Sequence, residues 1–258
     1  MRYYWLFLII LIACGKPPVE EDSLQVKEIQ AAASEDYFKS TQTIQINVYY
    51  EEDAKPFTGQ SLGGLKYWNI LESNLRTIFQ YRSSPPNLVI PKELDEMNSL
   101  AKQDKKTWSA NDVLKLHDQT QVPSIQKGES HFYIYFLEGN AEDGESIIGF
   151  SINGTPIIAI FKDVIRNSGG SVVQKYVEQS TIVHEMGHAL GLVNNGVPLA
   201  SDHQDQEHGH HTKNEDCIMY WLNEGQSDLA QFVGKYISSG STIMWGQEVL
   251  ADVEKISQ

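Results

Sequence analysis

The sequence predicts an α+β fold, a mixed β-sheet combined with several helices. Three observations carry this. Thr43-Ile44-Gln45-Ile46-Asn47-Val48-Tyr49 alternates apolar and polar side chains, the period of a half-buried strand. His131-Phe132-Tyr133-Ile134-Tyr135-Phe136-Leu137 is a continuous apolar and aromatic run, as expected of a strand buried on both faces. Apolar or small residues recur at helical spacing in two places, through Leu65, Trp68, Leu71, Leu75, Ile78 and Phe79, and through Val173, Val177, Ser180, His184, His188 and Gly191. Strand order is not set by these patterns.

The elements follow in order. Gly59, Gly63 and Gly64 make a turn before a helix over about 64–81. Asn87-Leu88-Val89-Ile90 before Pro91 reads as a short strand, and helices are expected over 92–103 and over 110–119, the second capped by Ser109. Residues 147–161 read as a hairpin about Asn153-Gly154, with Pro156 delaying the second strand or placing it at an edge. Gly169-Gly170 leads into Ser171-Val172-Val173-Gln174, a Ser-x-x-Gln capping box that starts a long helix. Ser227-Asp228 caps a helix over about 229–238, and a last helix covers about 246–256.

The chain has 258 residues, with 34 acidic side chains against 20 basic, enough length for one sizeable domain. A net charge of −14 excludes nucleic acid as a partner in bulk, because phosphate binding needs a basic surface. Two cysteines exclude a disulfide framework or a four-cysteine zinc cage. At the amino terminus, Arg2 precedes an apolar run from Tyr3 to Ala13. As a helix that run spans about 16 Å, short of the roughly 30 Å hydrocarbon core, so it reads as a signal segment. Leu11-Ile12-Ala13-Cys14 resembles the lipobox of bacterial lipoproteins. The resemblance implies that residues 1–13 are removed and that Cys14 carries lipid as the first mature residue. Gly15 then implies attachment at the outer membrane of a Gram-negative cell envelope. Residues 14–40 are expected to be a tether with a short helix near 23–33, and the folded domain to cover 41–258.

Histidine is concentrated. Six of the eight, His184, His188, His203, His208, His210 and His211, fall between positions 184 and 211. His184-Glu185-Met186-Gly187-His188 lies on the expected long helix, where residues four apart stack one turn above each other. Both imidazoles can reach one metal ion, with Glu185 beside the remaining coordination position. The segment continues as Ala189-Leu190-Gly191, and Cys217-Ile218-Met219-Tyr220 follows the histidine-rich loop. Together these resemble the metzincin clan of zinc peptidases, whose pattern is His-Glu-x-x-His-x-x-Gly-x-x-His followed by a methionine turn. The resemblance implies a metzincin-like fold: a twisted mixed sheet, long helices including the active-site helix, and a small helical subdomain after the methionine turn. The subdomains would cover about 41–193 and about 194–258, with Met219 as the turn methionine beneath the metal.

Three residues after Gly191, where the clan has its third ligand, this chain has Asn194. A carboxamide is a poor zinc ligand. The loop 201–211 offers replacements, and the clan's spacing to the turn methionine favours His211, with His208 and then His203 as alternatives. A second, structural metal held by His203, Asp205 and His208 is a further expectation, and His210 reads as part of a solvated loop. Asp202, Asp205, Glu215 and Asp216 are candidates to orient the ligand imidazoles. Cys217 reads as buried packing beside the turn. The resemblance implies a zinc endopeptidase in which Glu185 is the general base for a metal-activated water. Its partner would be an extended protein or peptide substrate added to a sheet edge, for which the 147–161 hairpin is the candidate. Two non-catalytic readings stand beside it: a surface lipoprotein that binds or buffers zinc through its histidine loop, and a pseudo-protease, motivated by Asn194.

Overall fold

A computed structural model describes residues 34–258. The signal segment, Cys14 and the short helix expected near 23–33 lie outside the described residues. Within them a six-stranded sheet is built in the order β2 (Asn87–Val89), β1 (Thr43–Glu51), β5 (Glu129–Leu137), β8 (Ile157–Phe161), β7 (Gly149–Ser151), and β3 (Asn98–Leu100) joins β1 beside β2. Every pairing is parallel except that of β7 with β8. β4 (Thr107–Trp108) and β6 (Asn140–Ala141) form a separate parallel pair. The helices are α1 (Trp68–Phe79), α2 (Ala110–Gln119), α3 (Lys162–Arg166), α4 (Ser171–Ala189), α5 (Gln226–Ser239) and α6 (Gln247–Ser257).

The alternation of side chains along β5 builds three layers. Tyr133 and Tyr135 meet His117 of α2 on one face, while Phe136 meets Trp68 of α1 on the other. α4 packs beside α1 and against β7 and β8. β1 departs from its expected half-buried pattern and is buried without a break from Ile46 onward, because helices cover both faces of the sheet. The Asn153-Gly154 hairpin forms as expected, and β8 starts immediately after Pro156, inside the sheet; β7 is the edge. After Met219 the chain is helical, a 3₁₀ turn at Trp221–Glu224 followed by α5 against α4 and α6 against α1.

Four expectations are corrected. The tether does not extend to residue 40: residues 34–39 are helical, Phe38 packs on Phe79 with ring centroids 5.3 Å apart, and Tyr37 packs on Phe132. Residues 92–103 do not form a helix. Glu93 and Glu96 cap each other reciprocally around a single 3₁₀ turn at Leu94–Glu96, and the chain then extends to pair as β3 with the far end of β1. Ser171 is the first residue of α4 and not its cap; Gly170 holds that position, and Gln174 instead donates to the carbonyls of Arg166 and Gly169. α5 likewise starts earlier than expected, with Gly225 at its cap and Ser227-Asp228 inside its first turn.

α4 is buried all round from Tyr176 to Gly187, so its polar side chains need internal partners. Glu178, fully buried, accepts from the backbone N–H of Phe57 at 2.7 Å and forms an ion pair with the equally buried Lys162 of α3. The Lys162 ammonium also stands 3.5 Å from the centroid of the Phe57 ring. Burial pushes the lysine pKa down and the glutamate pKa up, and each charge opposes the other's shift. This cluster fixes α4 against the sheet one and a half turns before His184. Glu178→Ala should therefore lower unfolding free energy by ~3–5 kcal/mol, because it strands a buried ammonium. Urea denaturation measures this, and a loss below about 1 kcal/mol would show that the pair does not hold the helix.

Candidate metal centre

α4 delivers Glu185 and His188 to one end of a cleft of about 400 Å³, with His184 buried behind them; the lining also includes His211, Glu224 and the edge residues Phe150 and Ser151 of β7. The helix ends at Ala189, and just past its cap the chain turns at Gly191, whose φ is +83°, a left-handed conformation that favours glycine. A Cβ there would strike Ser34 Oγ and lie 2.8 Å from the Asn195 carbonyl. Val193 and Asn194 continue the turn at φ +51° and +60°. Asn194 is thereby directed away from the imidazoles and donates to Gln204 Oε1 at 3.0 Å.

The third imidazole comes from the loop. Asp205 N donates to the carbonyl of His211 at 2.7 Å, and Thr212 N donates to the carbonyl of Met219 at 2.9 Å. His211 is thus clamped between its own loop and the methionine turn. Its Nε2 lies 3.2 Å from that of His188 and 3.3 Å from that of His184, and the His184 and His188 nitrogens are 3.1 Å apart. His184 Nδ1 faces the Ile218 carbonyl at 2.7 Å, and His211 Nδ1 faces the His208 carbonyl at 2.6 Å. A carbonyl only accepts, so both Nδ1 atoms carry the proton and both Nε2 atoms present bare lone pairs. Burial holds His184 down to about 4, helped by the neighbouring His211, and holds His188 well below its ordinary value. The two rings of α4 are thereby kept neutral at pH 7 and ready to ligate.

Three nitrogens bound to one zinc at about 2.0 Å in tetrahedral geometry stand roughly 3.3 Å apart. The observed triangle fits that requirement. Glu224, with Oε1 at 3.2 Å from His211 Nε2, completes a group of four whose donor atoms all lie within 4.8 Å of one another. Among the described residues no second group of three or more such side chains gathers. Glu224 is the residue that sequence reasoning missed. It follows Met219 by five positions on a short 3₁₀ turn, and no motif spacing points to it.

The other candidates are placed elsewhere. His203 Nε2 pairs with Asp252 at 2.8 Å and its Nδ1 with Thr212 Oγ1 at 3.3 Å, so it braces the loop against α6. His208 pairs with Asp205 at 2.7 Å and stacks on Trp221 with centroids 3.9 Å apart. The second metal site expected from His203, Asp205 and His208 is therefore not assembled, because His203 and His208 take different carboxylates. His210 Nδ1 faces the Val193 carbonyl at 3.3 Å, so it is bound into the loop's contacts. Backbone carbonyls, and not Asp202, Glu215 or Asp216, orient the imidazoles of His184 and His211. The Asp205 carboxylate meets the ring of His208 and no other histidine ring.

Glu185 is buried beside the cluster. Burial, with Glu224 adding repulsion, pushes its carboxyl up to about 8 against a hydrogen bond from the Ser151 backbone. A dication at the imidazoles would draw that value back down. Cys217 is fully buried, its thiol pushed up to about 12 by burial, and its sulfur accepts from Gly246 N, which makes it inert packing. Met219 lies against Gly187 on the underside of α4, where a Cβ would overlap its sulfur. Gly187→Ala should therefore displace Met219 and cost ~1–3 kcal/mol of stability, measured by thermal unfolding. An unchanged melting temperature would mean that the turn does not press on the helix.

No family model matches this chain, and no curated protein matches it. Two solved structures are similar in chain path. One is an archaemetzincin from Methanopyrus kandleri, 10% identical, with a TM-score of 0.40, covering 83% of this chain and 96% of its own. The other is a zinc-dependent peptidase from Methanocorpusculum labreanum, 12% identical, with a TM-score of 0.37, covering 69% of this chain and 91% of its own. Both TM-scores are below 0.5, so neither likeness bears on the chemistry of the site.

Proposed function

We propose that this chain is a zinc-dependent endopeptidase with His184, His188 and His211 as metal ligands and Glu185 as general base. The observation that carries the reading is the convergence of three imidazole Nε2 atoms at 3.1–3.3 Å, two of them stripped of their proton by carbonyls behind the rings. Zinc at that point supplies a Lewis acid and lowers the pKa of a water toward about 7. Glu185 lines the same cleft, and a carboxylate there takes the proton of the attacking water and returns it to the leaving amine. Phe150 and Ser151 belong to the edge strand β7, along whose open side an extended peptide can be laid in the cleft. Attachment through lipid on Cys14 and a place in the cell envelope are part of the proposal and rest on residues 1–14 alone. The histidine-loop buffer gains no support, since His203, His208 and His210 each face a partner within the protein.

The test is zinc stoichiometry and peptide cleavage on the same preparations of the full chain. Wild type should hold a zinc ion at this centre, and cleavage should stop when a chelator removes it. Glu185→Gln should keep the metal and lose about 10²–10⁴-fold in rate, whereas His211→Ala should lose the metal and His203→Ala should keep it. Several ions per chain together with an indifferent Glu185→Gln would return the protein to the zinc-buffering reading.

Metal removal has a pH signature. Without an ion, the unfolded chain takes up protons on His184 and His188 near their ordinary pKa of about 6.5, while burial holds His184 at about 4 and His188 well below its ordinary value. The unfolded state then binds more protons, so the stability of the stripped protein should fall as pH drops from 6.5 toward 4. Melting temperatures of chelator-treated protein at pH 7 and pH 5 decide this. Equal values would mean that these rings are not held neutral.

A further inference from the structure

The metal centre proposed above uses three histidines, yet four donors converge there. Resting on that reading, we infer that Glu224 is a fourth, displaceable protein ligand, a carboxylate latch that closes the centre until an incoming group takes its corner.

A catalytic zinc with three protein ligands keeps one corner open, and a fourth protein donor closes the shell. Glu224 Oε1 stands 3.2 Å from His211 Nε2, the same spacing that the three imidazole nitrogens keep among themselves. All four donor atoms lie within 4.8 Å of one another. Since the imidazole nitrogens lie 3.1–3.3 Å apart, the longest separation is that of Glu224, whose carboxylate adjoins His211 and swings in from the side of the 3₁₀ turn to close the shell.

The backbone that carries Glu224 is tied to the ligand set. The preceding residue, Asn223, is buried and donates through Nδ2 to the carbonyls of Cys217 and Ile218, both at 3.1 Å. The Ile218 carbonyl is the one that orients His184. The position of the 3₁₀ turn is thus fixed relative to the metal ligands, while the Glu224 side chain remains 49% exposed and lines the cleft. An anchored backbone with a solvent-facing carboxylate lets the side chain leave without unfolding anything. Its departure breaks one oxygen–metal contact and frees an ionised carboxylate into water, with no proton or electron transferred. Charge also favours the arrangement, because one carboxylate halves the net +2 that the cation brings to three neutral rings.

The experiment uses metal-stripped full chain as wild type, Glu224→Gln and His211→Ala, titrated with Zn²⁺ against a chelating dye and separately loaded with Co²⁺. Glu224→Gln should bind an ion with affinity lowered roughly 10–100-fold, and its Co²⁺ visible spectrum should differ from wild type. Acetohydroxamate, which occupies an open corner, should bind the Co²⁺ form of Glu224→Gln more tightly than wild type, since no carboxylate has to leave. Equal zinc affinity and an unchanged Co²⁺ spectrum in Glu224→Gln, with binding lost in His211→Ala, would overturn the latch and leave the three-histidine centre standing. A wild-type Co²⁺ spectrum that acetohydroxamate cannot alter would mean a permanently closed shell, which defeats displacement. Undiminished metal binding in His211→Ala would defeat the centre itself.

Discussion

Nitrogen lone pairs aimed at one another from about 3 Å repel unless a positive charge sits between them. The rest of the architecture serves that constraint. The Ile218 and His208 carbonyls hold the protons of His184 and His211 on the far side of each ring. Burial keeps the imidazoles of α4 from escaping the repulsion by protonating. A dication placed between these nitrogens would relieve that repulsion, and the relief would add to its affinity.

Holding such a contact requires a rigid frame. α4 is enclosed from Tyr176 to Gly187, and it is held from inside by the Glu178 pair with Lys162, although the buried Gln179 amide finds no partner among the described residues. The methionine turn presses from below and the loop from the side. His203 and Asp252 fasten that loop to α6, so the last helix of the chain braces the third imidazole. A region rich in glycine, asparagine and histidine is thereby rigid where sequence composition alone reads it as solvated.

Local chemistry was readable from the sequence and long-range pairing was not. His184, Glu185 and His188 sit on one helix, so their spacing determines their geometry, and Asn153-Gly154 specifies its hairpin within a few residues. β5 declared itself by an apolar run that only a doubly covered strand can bury. By contrast, residues 92–103 read as a helix because nothing local reveals that β1 offers a free edge to Asn98–Leu100. Ser171 and Gln174 mimic a capping box, but Gln174 has a better use in the carbonyls left open by the end of α3. Glu224 was invisible for the same reason as β3: its proximity to His211 depends on how the methionine turn folds back, and no periodicity encodes that.

The buried thiol of Cys217 has a consequence for motion. It lies between the two residues that define the turn's depth, Asp216 at the surface and Ile218 against His184, and its sulfur is sealed by Gly246. A reagent that attacks thiolates meets it only when the turn parts from Gly246 at the head of α6. Its rate of modification therefore counts those openings, a clock for the breathing of the turn beside the candidate metal centre.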